Sequence, residues 1–121
     1  MDNKNLIFVY GILKRGHALD LTHMGGKFID EDSVYGNLYR IGHGVGLKLD
    51  RGKTEAIAHG EVWEIPDTLW KYLDDIESEG YAYARVEGTT LKGHCVQLYE
   101  HIYYPDEMYG TGLPKIETGV F

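Results

Sequence analysis

Residues 8–16 read Phe8-Val9-Tyr10-Gly11-Ile12-Leu13-Lys14-Arg15-Gly16: a short apolar strand that runs into one glycine and soon after into a second. The strand begins upstream at Asn5. Leu6–Tyr10 is apolar on both faces and is therefore expected at the centre of a sheet. Gly11 permits backbone angles that a residue with a side chain resists. Such a turn can aim successive amide N–H groups at one point, a geometry that holds an anion. The same letters also fit an ordinary strand-to-turn passage, because strand–glycine turns are common.

Working outward, the apolar runs are short and separated by Gly, Asp and Asn, which reads as mostly β. Residues 15–26 are polar, with Leu19, Leu21 and Met24 as anchors for a short helical turn. Strands are expected over 33–41, with Val34, Gly36, Leu38 and Arg40 on one face, and over 45–49. A further strand is expected over 56–65, with Ile57, His59, Glu61, Trp63 and Ile65 sharing a face. Residues 82–91 and 94–104 read as a hairpin joined near Lys92-Gly93. The segment 105–121 reads as a loop or tail. One helix is predicted, from Pro66 to about Ser78: proline and Asp67 suit its first turn, and Leu69, Leu73 and Ile76 form a buried stripe. The expected fold is α+β, a small mixed β-barrel of five to six strands with one main helix, in a single domain over 1–121.

Composition narrows the function. The chain has 121 residues, 43% of them hydrophobic, enough to bury a core in one domain. No apolar run approaches the roughly 20 residues of a membrane span, and Met1–Lys4 lacks the pattern of a signal peptide. The single Cys95 excludes an internal disulfide and suits a reducing compartment. A cytoplasmic protein with no membrane partner is expected. With 19 acidic against 12 basic residues the net charge is −7. Nucleic acid is therefore not an expected partner, since its binders carry a basic face. The ten tyrosines suit pocket walls, and equally suit strands.

The stretch Leu73-Asp74-Asp75-Ile76-Glu77-Ser78-Glu79 holds four acids, and helix geometry separates them. With Leu69 at zero, Leu73 falls at ~40°, Trp70 at ~100°, Ile76 at ~340° and Tyr72 at ~300°. Asp74 and Asp75 fall at ~140° and ~240°, off or behind the apolar arc. Glu77 falls at ~80°, inside it. A carboxylate that loses water there has its charged form disfavoured and its pKa raised, which makes it a usable general base or acid near neutral pH. The alternative is a frayed helix end with Glu77 in solvent. Downstream, alternation puts Tyr81, Tyr83 and Arg85 on one strand face. A tyrosine hydroxyl there could meet Glu77 or a substrate, while Arg85 reads as a surface ion pair.

Together these motifs resemble the gamma-glutamylcyclotransferase-like family, and within it the gamma-glutamylamine cyclotransferase branch. That branch opens Phe-Val-Tyr-Gly-Thr-Leu-Lys-Arg-Gly, matched here from Phe8 to Gly16. Its catalytic segment, Leu-Asp-Asp, an apolar residue, then Glu-Ser, followed by Tyr-x-Arg, is matched by Leu73–Ser78 and Tyr83-Ala84-Arg85. Gly60-Glu61-Val62-Trp63 matches the lead-in strand, and Val96-Gln97-Leu98-Tyr99 is similar to the last core strand. The resemblance implies that the substrate's own α-amine attacks its γ-carbonyl, releasing 5-oxoproline and an amine or amino acid. It implies Glu77 as general base and then acid. The backbone N–H groups of Gly11, Ile12 and Leu13 would hold the substrate α-carboxylate, and Tyr10 and Tyr83 would line the pocket. The implied partner is a small gamma-glutamyl molecule, with no metal and no organic cofactor. Ile12 departs from the family's Thr or Ser, which removes a hydroxyl and leaves the backbone amide. The segment Ile41–Gly46 lacks a proline often found there.

Other chemistries are poorly supported by spacing. The six histidines show neither His-x-His nor His-Glu-x-x-His. The acidic run lacks the ligand spacing of a calcium loop. Gly42-x-Gly44-x-Gly46 has no following helix to receive a phosphate. Cys95, with no activating neighbour, is expected to be a buried structural thiol. The remaining alternative is a non-catalytic small-ligand binding module on the same fold.

Overall fold

The computed structural model describes residues 5–10, 21–41, 44–49, 56–76, 83–101 and 115–116. Its elements run β1 (Leu6–Val9), a 3₁₀ turn (Leu21–Met24), β2 (Lys27–Ile41), β3 (Gly44–Leu49), β4 (Ile57–Glu64), α1 (Leu69–Ile76), β5 (Tyr83–Thr89), β6 (Cys95–His101) and β7 (Lys115–Ile116). The strand order is β3-β2-β4-β1-β6-β5, with β7 pairing on β2. β1 lies antiparallel to β4 and parallel to β6. The sheet curls until β3 meets β6, where the Leu49 N–H donates to Glu100 Oε2 at 2.9 Å. Among the described residues the result is a mixed half-barrel of six strands with one helix, to which the short β7 adds a pairing on β2, as the sequence pattern predicts.

β1 is central, and its uninterrupted apolar run follows from burial on both faces. Phe8 faces the barrel interior with Val34, Leu38, Leu47, Ala58, Val62, Val96 and Leu98. Ile7 and Val9 face outward, into a second core with Leu21, Trp63, Ile65, Trp70, Leu73 and Tyr99. That outer core is what α1 covers. Trp63 is fully buried there, and its indole N–H is satisfied by Glu61 Oε1 at 3.0 Å.

β2 is the long strand that bends the sheet. It pairs with β4 as far as Tyr35↔Ile57 and then with β3 from Gly36↔Leu49. At the crossover a Cβ on Gly36 would stand 2.7 Å from Lys48 O, so the close approach of β2 and β3 depends on glycine. The expected strand began at Ser33, whereas β2 begins at Lys27. Its acidic first half is weak strand material. Pairing with β4 holds it, through a bulge between Phe28 and Asp30. The buried Asp32 contributes as well: its Oδ1 accepts from Ser33 N at 2.7 Å and from Lys92 N at 3.2 Å. Asp32 thereby latches the β5–β6 hairpin tip onto β2, helped by the Leu91 N–H donating to Ser33 O at 2.8 Å. The tip closes at Gly93, whose φ of +97° suits glycine.

α1 is shorter than predicted within the described residues, running from Leu69 to Ile76, with Pro66 O accepting from Leu69 N at 2.9 Å. Leu73 and Trp70 are its buried residues, while Tyr72 stands half exposed. The segment read as a loop or tail carries β7, paired with β2 at Leu38↔Ile116. Cys95 corrects an expectation: it is exposed. It opens β6 on the outward face, opposite Thr89, at the end of the strand away from Tyr99, the residue that joins the core under α1. Among the described residues no helix is long and apolar enough to cross a membrane.

Gly60 offers a direct test of this packing. A Cβ there would overlap Val9 O and stand 2.7 Å from Phe8 Cζ. Gly60→Ala must therefore push β1 away from β4 or displace Phe8. The expected loss is about 1–3 kcal/mol, as for other overpacked cores, read as a lower denaturant midpoint with an unchanged slope.

Candidate active site

In sequence, the expected site residues flank the ends of β1 and α1 and the start of β5. Tyr10 follows β1 directly, and Glu77 would follow α1. Tyr10 and Tyr83 are described. Gly11, Ile12, Leu13 and Glu77 lie outside the described residues, as does Tyr81. What the structure defines is the set of side chains that carries both ends.

Tyr10 turns into the barrel interior, 7% exposed, and its hydroxyl donates to the Tyr99 carbonyl at 2.5 Å. A buried tyrosine hydroxyl needs such a partner, and this one ties the end of β1 to β6. Tyr99 itself turns to the outer face, as alternation along β6 requires. Its own hydroxyl donates to Asp74 Oδ1 in the last turn of α1 at 2.6 Å. Tyr99 therefore reaches the end of β1 through its backbone and the end of α1 through its side chain.

Arg85 approaches Asp74 from β5, with Nε 3.4 Å from Oδ1 and both side chains 28% exposed. Its guanidinium carbon stands 4.6 Å from the centroid of a Trp70 ring, a cation–π contact. Trp70 in turn donates its indole N–H to Asn5 Oδ1 at 3.1 Å, immediately ahead of β1. Asn5 holds a left-handed φ of 41° while its carbonyl accepts from Ile65 N at 3.0 Å. Asparagine tolerates that conformation better than most residues with a side chain. Tyr83, half buried at the start of β5, packs against the same outer core.

Two readings change here. Asp74 was expected off the apolar arc, yet it is half buried and accepts from Tyr99. Trp70 bounds the apolar arc as the wheel has it, and Asp74, next to it round the helix, is covered by the Tyr99 hydroxyl and by Arg85. Arg85 is not a plain surface ion pair, since it joins Asp74 to Trp70. Sequence reasoning missed Tyr99 and Asn5 as site-supporting residues. For Tyr99 the available signal was its position in the last core strand, on the face that alternation points at the helix. An open cleft of about 470 Å³, lined by Leu6, Glu87, Thr89, Cys95 and Gln97 among others, lies at the opposite ends of β1 and β6. It shares no residue with the expected site.

A mixed half-barrel of six strands with one helix on its outer face is the gamma-glutamylcyclotransferase-like fold. The family model "Gamma-glutamyl cyclotransferase, AIG2-like" matches residues 7–121, and the chain belongs to that family. Solved structures agree. The protein ytfP from Escherichia coli is 28% identical, with 96% of this chain and 95% of that one covered and a TM-score of 0.69. An uncharacterized protein from Pyrococcus horikoshii is 26% identical, with 96% and 88% covered and a TM-score of 0.75. An AIG2-like protein from Mus musculus is 27% identical, with 96% and 88% covered and a TM-score of 0.69. No curated protein matches the chain.

Proposed function

We propose that this chain is a gamma-glutamylamine cyclotransferase, with Glu77 as its general base and acid. The α-amine of a bound gamma-glutamyl substrate attacks the γ-carbonyl carbon, and a ring C–N bond forms. The bond from that carbon to the leaving nitrogen breaks. Glu77 takes the proton given up by the attacking amine and returns it to the departing amine. No water is consumed, and the products are 5-oxoproline and a free amine or amino acid.

The chemistry asks little of the protein beyond orientation and one proton carrier. Well-placed intramolecular attack can be worth on the order of 7–11 kcal/mol. A turn over Gly11–Leu13 that grips the α-carboxylate would bend the substrate toward its own γ-carbon, and Tyr10 and Tyr83 would wall the pocket. Amide donors near the developing oxyanion would lower the barrier further. The observation that carries the reading is the link through Tyr99, which holds the last turn of α1 to the end of β1. Those are the elements that lead into Glu77 and into Gly11. The buried arc of α1 adds support. It consists of Leu73 and Trp70, flanked by the partly buried Ile76 and Asp74, and the wheel direction expected for position 77, ~80°, falls between Leu73 and Trp70.

The test is a screen of purified protein against gamma-glutamyl amines and gamma-glutamyl amino acids, following 5-oxoproline and the released amine together. Equimolar formation of the two is expected, with gamma-glutamylamines such as the ε-lysyl conjugate turned over fastest. Binding without release of either product would instead fit a non-catalytic ligand module.

A further inference from the structure

We infer that Tyr99 is a positioning residue that ties the last turn of α1 to the end of β1, the elements that lead into Glu77 and Gly11. This rests on the reading of Glu77 as the proton carrier. Tyr99 is 3% exposed and lies in the outer core beneath α1. Its two polar groups face different elements: the carbonyl receives Tyr10 and the hydroxyl reaches Asp74. β6 runs parallel to β1 in direct pairing, with Gln97 beside Ile7. A shift of α1 relative to β1 must therefore stretch one of the two bonds that meet at Tyr99.

Asp74 lies in the last turn of α1, which ends at Ile76, so it governs where the chain leaves the helix. Arg85 alone would hold Asp74 loosely: its contact is 3.4 Å and both side chains are partly exposed. The part-buried hydroxyl–carboxylate bond to the same oxygen, at 2.6 Å, is the shorter constraint and lies in the range of charge-assisted O–H···O bonds. A proton carrier must sit within hydrogen-bond reach of the atom it serves, and a misplacement of about 1 Å can cost about a hundredfold in rate. A pocket merely lined by Tyr99 would affect binding. A site positioned through Asp74 would lose turnover instead.

The experiment compares Tyr99→Phe, Asp74→Ala and the double variant, with 5-oxoproline release as the readout. Tyr99→Phe keeps the ring and the carbonyl that receives Tyr10, and removes the hydroxyl that donates to Asp74. The expected result is a kcat about tenfold lower, well inside the cost of misplacing a reacting group, with KM held within about twofold and folding preserved. Asp74→Ala is expected to lower kcat at least as far. The double variant should be no worse than Asp74→Ala, because the two residues act through one bond. If Tyr99→Phe does not fold, Asp74→Ala cuts the same bond from the helix side and carries the same expectation. A normal kcat in Tyr99→Phe, or losses that multiply in the double variant, overturns the inference and leaves the cyclotransferase reading standing if Glu77→Gln is inactive. Full turnover in Glu77→Gln overturns both.

Discussion

Glu77→Gln is expected to lower kcat for 5-oxoproline release by about 10²–10⁴-fold, the range that general acid–base catalysis supplies. Glutamine keeps the shape and one oxygen of glutamate but cannot carry a proton. The attacking amine would then lose its proton only to solvent, and the leaving amine would depart unprotonated. KM should change little, because the α-carboxylate is assigned to the Gly11–Leu13 amides and not to Glu77. The fold should be untouched, because α1 is anchored by Leu73 and Trp70, which are buried ahead of position 77. A loss of rate together with an unchanged denaturant midpoint would separate chemistry from stability.

Leu73→Ala is the stability counterpart. Leu73 is fully buried at the centre of the contact between α1 and the outer sheet face. Truncation removes transfer free energy and leaves a cavity, at a cost of about 2–5 kcal/mol for a buried leucine. Against a typical total of roughly 5–15 kcal/mol, that loss is large. The denaturant midpoint should fall accordingly. A loss below about 1 kcal/mol would mean that the site collapses around the cavity, or that Trp70 alone docks the helix. The same variant bears on function, since a loosened α1 carries Asp74 with it. Its kcat should fall even where the protein remains folded.

These effects explain how much of the fold was legible from the chain. β1, β4, the β5–β6 hairpin and α1 were readable because each carries its own periodicity: continuous for a strand buried on both faces, alternating or 3.6-fold for the others. The first half of β2 was not. Asp30, Glu31 and Asp32 are poor strand formers, and the β4 ladder, the Asp32 latch to Lys92 N and the Lys92–Asp30 ion pair hold them as one. β7 was illegible for a similar reason, since two residues carry no period. Cys95 was misjudged because its strand is buried along most of its length while its first residue is not.

Local motifs name the proposed reacting residues, and they do not name the residues that support them. Tyr10, Gly11, Glu77 and Tyr83 are proposed on local motifs: the strand–glycine turn, the wheel direction of position 77 and the alternation after it. Tyr99 and Asp74 depend on an approach between β6 and α1, 25 positions apart in the chain. No local pattern encodes that distance. The wheel placed Asp74 outside the apolar arc because it counted only apolar neighbours, whereas a carboxylate at the arc's edge is stabilised by a hydroxyl and a guanidinium that arrive from other strands.

The central claim is that the substrate closes on itself and water takes no part. It is tested most directly by turnover of a gamma-glutamylamine in oxygen-18 water, with the products read by mass spectrometry. The account predicts unlabelled 5-oxoproline in an amount equal to the amine released, and none above background with Glu77→Gln. Glutamate carrying oxygen-18 in its γ-carboxylate would show hydrolysis instead, and would contradict it.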